Sequence, residues 1–250
     1  RPRDWSSDVC SSDLDYGNLG TVFQSLGQYH KAKEYLQKAL VIRTNIGDRQ
    51  GEATDYGNLG TIFELLGQYD MAQECLQKAL VIRTEIGDRQ GEASNFGSLG
   101  NLFKVIGQYD KAKEYLQKAL VITTEIGNRR GESSVYANLG GLFLSLEQYD
   151  KAKECLQKAL VIKTEIGDIQ GEASCYGGLG CVFWSLGQYD KAKECLQKAL
   201  VIRTDIGNEE GKAADLANLG SLSREVGDYE ASEVYLEKAL SISRDIGDRR

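Results

Sequence analysis

Between Tyr69 and Ile86 the apolar residues Ala72, Leu76, Ala79, Leu80 and Ile82 fall mostly three or four apart, with Gln73, Gln77 and Lys78 between them. That spacing draws one apolar stripe down a helix and predicts an α-helix over 69–86, with the three polar side chains in water. The stretch before it predicts another helix, from Asp48 to about Leu66. Asp48 can cap its start, because a carboxylate accepts from the free backbone N–H groups of a first helical turn. Gly67 and Gly87 stand where a left-handed residue closes each helix. No alternating apolar-polar run marks a half-buried strand, so the expected class is all-α.

The pattern returns every forty residues. KAKEYLQKALVI at 31–42 reappears as MAQECLQKALVI, KAKEYLQKALVI, KAKECLQKALVI twice, and ASEVYLEKALSI at 231–242. Six copies result, at about 15–50, 51–90, 91–130, 131–170, 171–210 and 211–250. A fixed period of this size signals helix pairs that cannot bury their apolar faces alone and stack to do so. Residues 1–14, RPRDWSSDVCSSDL, match no copy; residues 4–14 resemble a translated sequencing-library adapter, and the tract is set aside as non-native.

Within this frame Tyr16, Leu19, Gly20 and Phe23 resemble the W-x2-L-G-x2-Y signature of the tetratricopeptide repeat, and Ala32, Leu36 and Ala39 resemble its second helix. The unit departs from that family in being forty residues long rather than thirty-four, and in carrying Thr44 where a terminal proline is usual. The longer unit, with its IGDRQGEA link, resembles the LGN/Pins adaptors, kinesin light chains and the repeat arrays of signalling ATPases. The resemblance implies a right-handed α-solenoid of six helix-turn-helix units that binds a peptide or helical segment of a partner in a concave groove and is no enzyme. A rival reading is a regulatory or sensor arm of a larger signalling enzyme. The tail RDIGDRR ends on a linker with no polar capping helix, so the expectation is a fragment of a larger protein.

Gly20, Gly60, Gly100, Gly140, Gly180 and Gly220 sit in mid-helix, where glycine costs about 1 kcal/mol relative to alanine. Close approach of the two helices of each copy is the expected compensation. These glycines recur at helical spacing with no strand before them, which excludes a phosphate-binding loop.

The copies differ unevenly. Across the first five, three of twelve columns change from Lys31 to Ile42, against nine of twelve from Asp15 to Leu26. Asp15, Asn18, Thr21 and Gln24, three apart and so on one helix face, lead the changing columns. Asn18, Asn58, Asn138 and Asn218 share one column, which Ser98 and Gly178 interrupt. An amide offers both donor and acceptor, and the family resemblance implies that such asparagines clamp the backbone of a bound peptide. Asn101 stands in the Thr21 column, and Lys104, Leu144, Trp184 and Arg224 in the Gln24 column, as candidates for reading ligand side chains. Trp184 has the alternative of lodging against the next helix. The small residues Gly17, Gly57, Gly97, Ala137, Gly177 and Ala217 form either a groove floor or a packing surface.

Composition removes other classes. With 37 acidic against 30 basic side chains, net −7, the chain has no cationic excess to neutralise phosphates, so no nucleic-acid partner is expected. No run of eighteen apolar residues occurs, so no membrane span is expected. Cys75, Cys155 and Cys195 share a column with tyrosine and read as half-buried fillers, and no CxxC occurs, so neither metal nor cofactor is expected. Free thiols fit a cytoplasmic setting. His30, the one histidine, replaces a helix-start aspartate and has no constellation around it for general base work.

Overall fold

The computed structural model describes residues 16–248; the 1–14 tract and Asp15 lie outside them. Contacts divide the chain into two compact bodies, Arg1–Asn128 and Arg129–Arg250. The N-terminal body holds α1 (16–25), α2 (Tyr29–Ile46), α3 (Arg49–Leu65), α4 (Tyr69–Glu85), α5 (Arg89–Val105) and α6 (Tyr109–Glu125). The C-terminal body holds α7 (Arg129–Ser145), α8 (Tyr149–Glu165), α9 (Ile169–Ser185), α10 (Tyr189–Asp205), α11 (Glu209–Glu225) and α12 (Tyr229–Asp248). The described residues contain no strand. Odd-numbered helices are the first of each copy, here helix A, and even-numbered ones the second, helix B.

The expected caps form. Asp48, Asp88 and Asp168 each accept from the backbone N–H three residues on, at 2.9 Å, and Asn208 does the same at 2.8 Å. The helices B from α2 to α10 have no side-chain cap, whereas Asp228 caps α12, accepting from the Ala231 N–H at 3.1 Å. Gly67 turns the chain into α4 at φ 71°, with the Gln68 N–H donating to Phe63 O at 2.8 Å.

In the N-terminal body α3 lies along α4 and α5 along α6, while α2 and α4 close onto α3 and α5. The C-terminal body repeats this with α7–α8, α9–α10 and α11–α12 as pairs, α8 on α9 and α10 on α11. The predicted stripe is the core: Ala72, Leu76, Ala79 and Ile82 are buried and Leu80 half-buried. Gln77 and Lys78 are in water as expected, but Gln73 is half-buried. The mid-helix glycines sit where the helices touch: a Cβ on Gly60 would fall 2.7 Å from Leu76 Cγ, and one on Gly180 the same distance from Leu196 Cγ. Such a contact has no room for a methyl group, which accounts for the retained glycine.

One turn breaks the pattern. Gly27, Gly67, Gly107, Gly187 and Gly227 all have positive φ between helices A and B, but the fourth copy places Glu147 there at φ 57°. A side chain with a Cβ pays roughly 1 kcal/mol in this conformation. Glu147→Gly is therefore expected to raise stability by about 0.5–1 kcal/mol, read as a shift in the midpoint of urea unfolding.

Candidate functional site

The changing face of helix A divides into columns that behave differently. The Asp15 column is buried wherever it is described, at Asp55, Asn95, Val135, Cys175 and Asp215. Its variation is therefore no part of an open surface. The next columns are more open. In the N-terminal body Asn18 is exposed, while Asn58, Glu64, Asn101 and Lys104 are half-buried. In the C-terminal body Asn138, Leu144, Trp184 and Asn218 are half-buried, and Arg224 is exposed. Among the described residues, the side-chain amides of Asn58, Asn101, Asn138 and Asn218 make no hydrogen bond, so their donors and acceptors are not consumed by the fold. Thr61, by contrast, spends its hydroxyl on Gly57 O at 3.3 Å. Burial pushes the Glu64 carboxyl up, and the charge of Lys104 on the next helix A offsets only part of that rise.

Trp184 lodges against the next helix A, the alternative foreseen for it. Its indole N–H donates to Glu225 Oε2 at 2.6 Å, and the Tyr189 hydroxyl donates to Glu225 Oε1 at 3.1 Å. The ring also packs against the core formed by Ala192, Leu196, Leu219 and Leu222. The tryptophan is thus held along one edge and remains half-open on the rest. Sequence reasoning missed Glu225. Its signal was present: Ser25, Leu65, Val105, Ser145 and Ser185 fill that column elsewhere, so the one glutamate follows the one tryptophan by a single copy.

The buried column has its own partner. Arg203 Nη1 donates to Gly211 O and to Asp215 Oδ1, both at 2.9 Å, joining α10 to α11. Arg43 makes the same pair of bonds to Gly51 O and Asp55 Oδ1 at 3.0 Å each, and Arg83 to Gly91 O at 2.6 Å and Asn95 Oδ1 at 2.7 Å. Where Cys175 removes the acceptor, the long side chain changes too: Lys163 turns to Asp168 Oδ2 at 2.7 Å. The small residues of helix A stand beside this bridge. A Cβ on Gly57 would meet Arg83 Nη2 at 3.7 Å, one on Gly177 would meet Arg203 Nη2 at 3.7 Å, and one on Gly17 would crowd Arg43 Nη2 at 2.9 Å. Alanine appears at 137 and 217, where helix B carries Lys163 and Ser243 in place of arginine, but the third copy, with Thr123 in that column, keeps Gly97, and a Cβ there would meet nothing within 4 Å. Packing thus accounts for the small residue at Gly17, while at Gly57 and Gly177 a Cβ would make only ordinary contact.

No group of three His, Cys, Asp or Glu side chains able to hold a metal forms among the described residues, and no described helix is long and apolar enough to cross a membrane. Cys75, Cys155 and Cys195 are half-buried, as fillers should be, and burial raises the Cys175 thiol to about 11, far from a thiolate nucleophile at neutral pH.

A model of the tetratricopeptide repeat family matches residues 13–85, 91–165, 132–205 and 171–245. The chain belongs to the tetratricopeptide repeat family. No curated protein matches it. Among solved structures it is similar to BtubC (BKLC) from P. vanneervenii, at 20% identity and a TM-score of 0.72 over 90% of this chain and 91% of that one. It is similar to a putative kinesin light chain with nearly identical tetratricopeptide-like repeats from Podospora anserina, at 17% identity and a TM-score of 0.62 over 78% and 96%. It is also similar to a signal transduction ATPase with numerous domains and a tetratricopeptide repeat sensor from Pyrococcus horikoshii, at 20% and 0.73, covering 95% of this chain but 38% of that one. At these identities the likeness establishes the fold: an all-α helical repeat.

The Arg203–Asp215 bridge gives this tetratricopeptide array a dependence on pH. Burial raises the Asp215 carboxyl to about 6, outweighing the pull of Arg203. Its Oδ2 is buried and lacks a hydrogen-bond partner among the described residues. A carboxyl that holds its proton more tightly folded than unfolded adds stability at low pH; the gain fades as pH rises from about 4 through 6. Asn95 shows the remedy, since its Nδ2 donates to Leu76 O at 2.9 Å while Oδ1 still accepts from Arg83. Asp215→Asn is therefore expected to gain about 1–3 kcal/mol over the parent at pH 7 and nothing below about pH 4. Chemical denaturation of both proteins at a series of pH values checks this.

Proposed function

We propose that the array is a protein-interaction scaffold, and that the helix A columns beginning at Asn18, Thr21 and Gln24 carry partner recognition within each body. The observation that supports this most is the coincidence of variation with opportunity. After the buried Asp15 column is removed, the columns that still change most freely hold half-buried or exposed side chains, and the amides of Asn58, Asn101, Asn138 and Asn218 are left without partners by the fold. Asn58 and Asn101 in the N-terminal body, and Asn138 and Asn218 in the C-terminal body, offer donor and acceptor together, which suits the backbone of an extended segment. Asn18 contributes the same group from α1. The two bodies read different side chains: Glu64 and Lys104 present opposite charges, whereas Leu144 and Trp184 present apolar surface flanked by Arg224. Aromatic and arginine side chains are enriched among residues that dominate binding energy. The ligand class is a protein or peptide segment, the setting cytoplasmic, and no catalysis is assigned to the repeats.

A second reading has one observation behind it. The chain covers 38% of the signalling ATPase with a tetratricopeptide sensor, which suits a sensor arm of a larger enzyme whose catalytic part is elsewhere. Both readings share the same recognition face.

Peptides selected from a display library on the whole chain test the proposal. A triple variant, Asn138→Ala with Trp184→Ala and Asn218→Ala, is expected to lose most of the selected set that depends on the C-terminal body. An unchanged set from a variant with native circular dichroism would overturn it.

A further inference from the structure

In three successive copies one arginine at the start of helix A joins two carboxylates. Arg49 donates to Glu52 on its own helix at 2.8 Å and to Glu85 at the end of α4 at 2.5 Å. Arg89 does the same to Glu92 and Glu125, both at 2.7 Å, and Arg129 to Glu132 at 2.8 Å and Glu165 at 2.6 Å. The sixth copy keeps an ion pair with the signs reversed, Lys212 Nζ lying 3.3 Å from Glu209 Oε2. The fifth copy keeps both carboxylates, as Glu172 and Asp205, but carries Ile169 in the arginine column. Among the described residues neither of these carboxylates makes an ion pair or a side-chain hydrogen bond. Ile169 itself is 53% exposed.

The helix ends around the two carboxylates keep their register. Asn208 Nδ2 donates to Gln170 Oε1 at 3.0 Å, the counterpart of Gln50 Nε2 donating to Asp88 Oδ2 at 3.1 Å. The start of α9 therefore lies by the end of α10 as the start of α3 lies by the end of α4. Neighbouring charges are already matched: Lys163 with Asp168 and Lys198 with Glu194 at 2.7 Å each, and Arg129 with Glu165 at 2.6 Å. Beside Glu172 an open groove runs between α9 and α10, lined by Tyr176, Val201 and Ile202. Ile169, Glu172 and Tyr176 are three and four residues apart and share one face of α9, as Val201 and Asp205 share one face of α10. Both carboxylates thus stand one turn beyond the apolar lining of the groove, Glu172 half-buried and Asp205 exposed.

We infer that the fifth copy takes its guanidinium from outside: an arginine in a segment of a partner protein donates to Glu172 and Asp205, and an apolar residue beside that arginine enters the groove over Tyr176, Val201 and Ile202. Charge complementarity names the occupant. A planar fork of N–H groups can serve two carboxylates at once, as the chain's own arginines do in three copies, whereas a lysine ammonium is a single point of charge. Asp205 is one methylene shorter than Glu165, a difference that an arginine not tied to α9 can take up. The ion pairs are partly open to water, so the contact is expected to weaken with added salt. The site lies at the ends of α9 and α10 and uses none of Asn138, Trp184 or Asn218, which makes it a second point of recognition on the C-terminal body.

Ile169→Arg is the deciding variant, because it gives Glu172 the neighbour that Glu52, Glu92 and Glu132 already have and is expected to fold as the parent does. Peptides selected from a display library on the full chain are counter-screened on this variant. Those it fails to bind are expected to share one arginine. In a synthetic copy of the strongest of them, lysine or neutral citrulline at that place is expected to raise Kd about fivefold or more, and so is Asp205→Asn in the protein. Identical peptide sets on the parent and on Ile169→Arg, a lost set with no shared arginine, or a citrulline peptide that binds as well as the arginine one would each overturn the inference. A chain that self-associates until Ile169→Arg is introduced would put an arginine of a second copy in the site and overturn the assignment to a different protein.

Discussion

Arg203→Met is expected to cost about 2–4 kcal/mol of folding free energy at pH 7, while the double change Arg203→Met with Asp215→Val lies within about 1 kcal/mol of the parent. The single change leaves Gly211 O and a 1% exposed carboxylate without their common donor. Protonation limits the damage. Asp215 already takes up its proton near pH 6 with the arginine in place, so once the arginine is gone the carboxyl neutralises rather than remaining charged. The loss is therefore expected to be smaller at pH 5 than at pH 7, with the lost hydrogen bonds as its remainder. Removing both partners deletes the need along with the donor, and the repeat itself carries Thr123 and Val135 in these two columns. A double-mutant cycle by urea unfolding at both pH values measures the coupling. Additive single changes at pH 7 would contradict a working bridge.

Leu196→Ala is expected to cost about 2–5 kcal/mol, because its side chain is fully buried against Ala192, Leu219 and Leu222 and deletion leaves a cavity as well as losing transfer energy. Leu236→Ala removes the same atoms from the same column of α12, where the side chain is 38% exposed, and is expected to cost about 1 kcal/mol or less. The difference follows from burial, since Leu196 is enclosed and Leu236 keeps one side open to water. Hydrogen exchange resolved by helix is the suitable measurement, because stability in a repeat array is a sum of local and nearest-neighbour contributions and a single melting temperature mixes them. Equal protection losses around α10 and α12 would contradict the assignment of α12 as a helix with one face open.

Much of the fold was legible because its causes are local and repeated. The caps at Asp48, Asp88 and Asp168 act over three residues, the left-handed glycines over one, and the apolar stripe of helix B over a turn or two. Copies aligned at forty residues then exposed the mid-helix glycines as a requirement of packing. What stayed hidden depends on pairs distant in sequence. The Asp15 column varies as freely as the columns beside it, so its changes read as surface diversity. Only the structure shows Asp55, Asn95 and Asp215 buried under arginines twelve residues earlier in the chain. Those changes compensate one another across a junction. Trp184 illustrates the same limit at greater range, since Glu225, forty-one residues on, decides how the ring is held. The changing columns of helix A therefore contain two signals, joint compensation in the buried column and diversity in the open ones, and burial separates them.

The claim that recognition lies on the open helix A columns is tested most directly by comparing two faces of the C-terminal body. A peptide selected on the parent chain and dependent on this body is titrated by fluorescence anisotropy against two variants. One carries Asn138→Ala, Trp184→Ala and Asn218→Ala on helix A; the other carries Gln157→Ala, Lys158→Ala and Val161→Ser on the exposed surface of α8. The expected result is at least a tenfold rise in Kd for the first, about 1.4 kcal/mol or more, and no measurable change for the second. Parent-like binding by the helix A variant together with a loss in the α8 variant would place recognition on the opposite face and contradict the account.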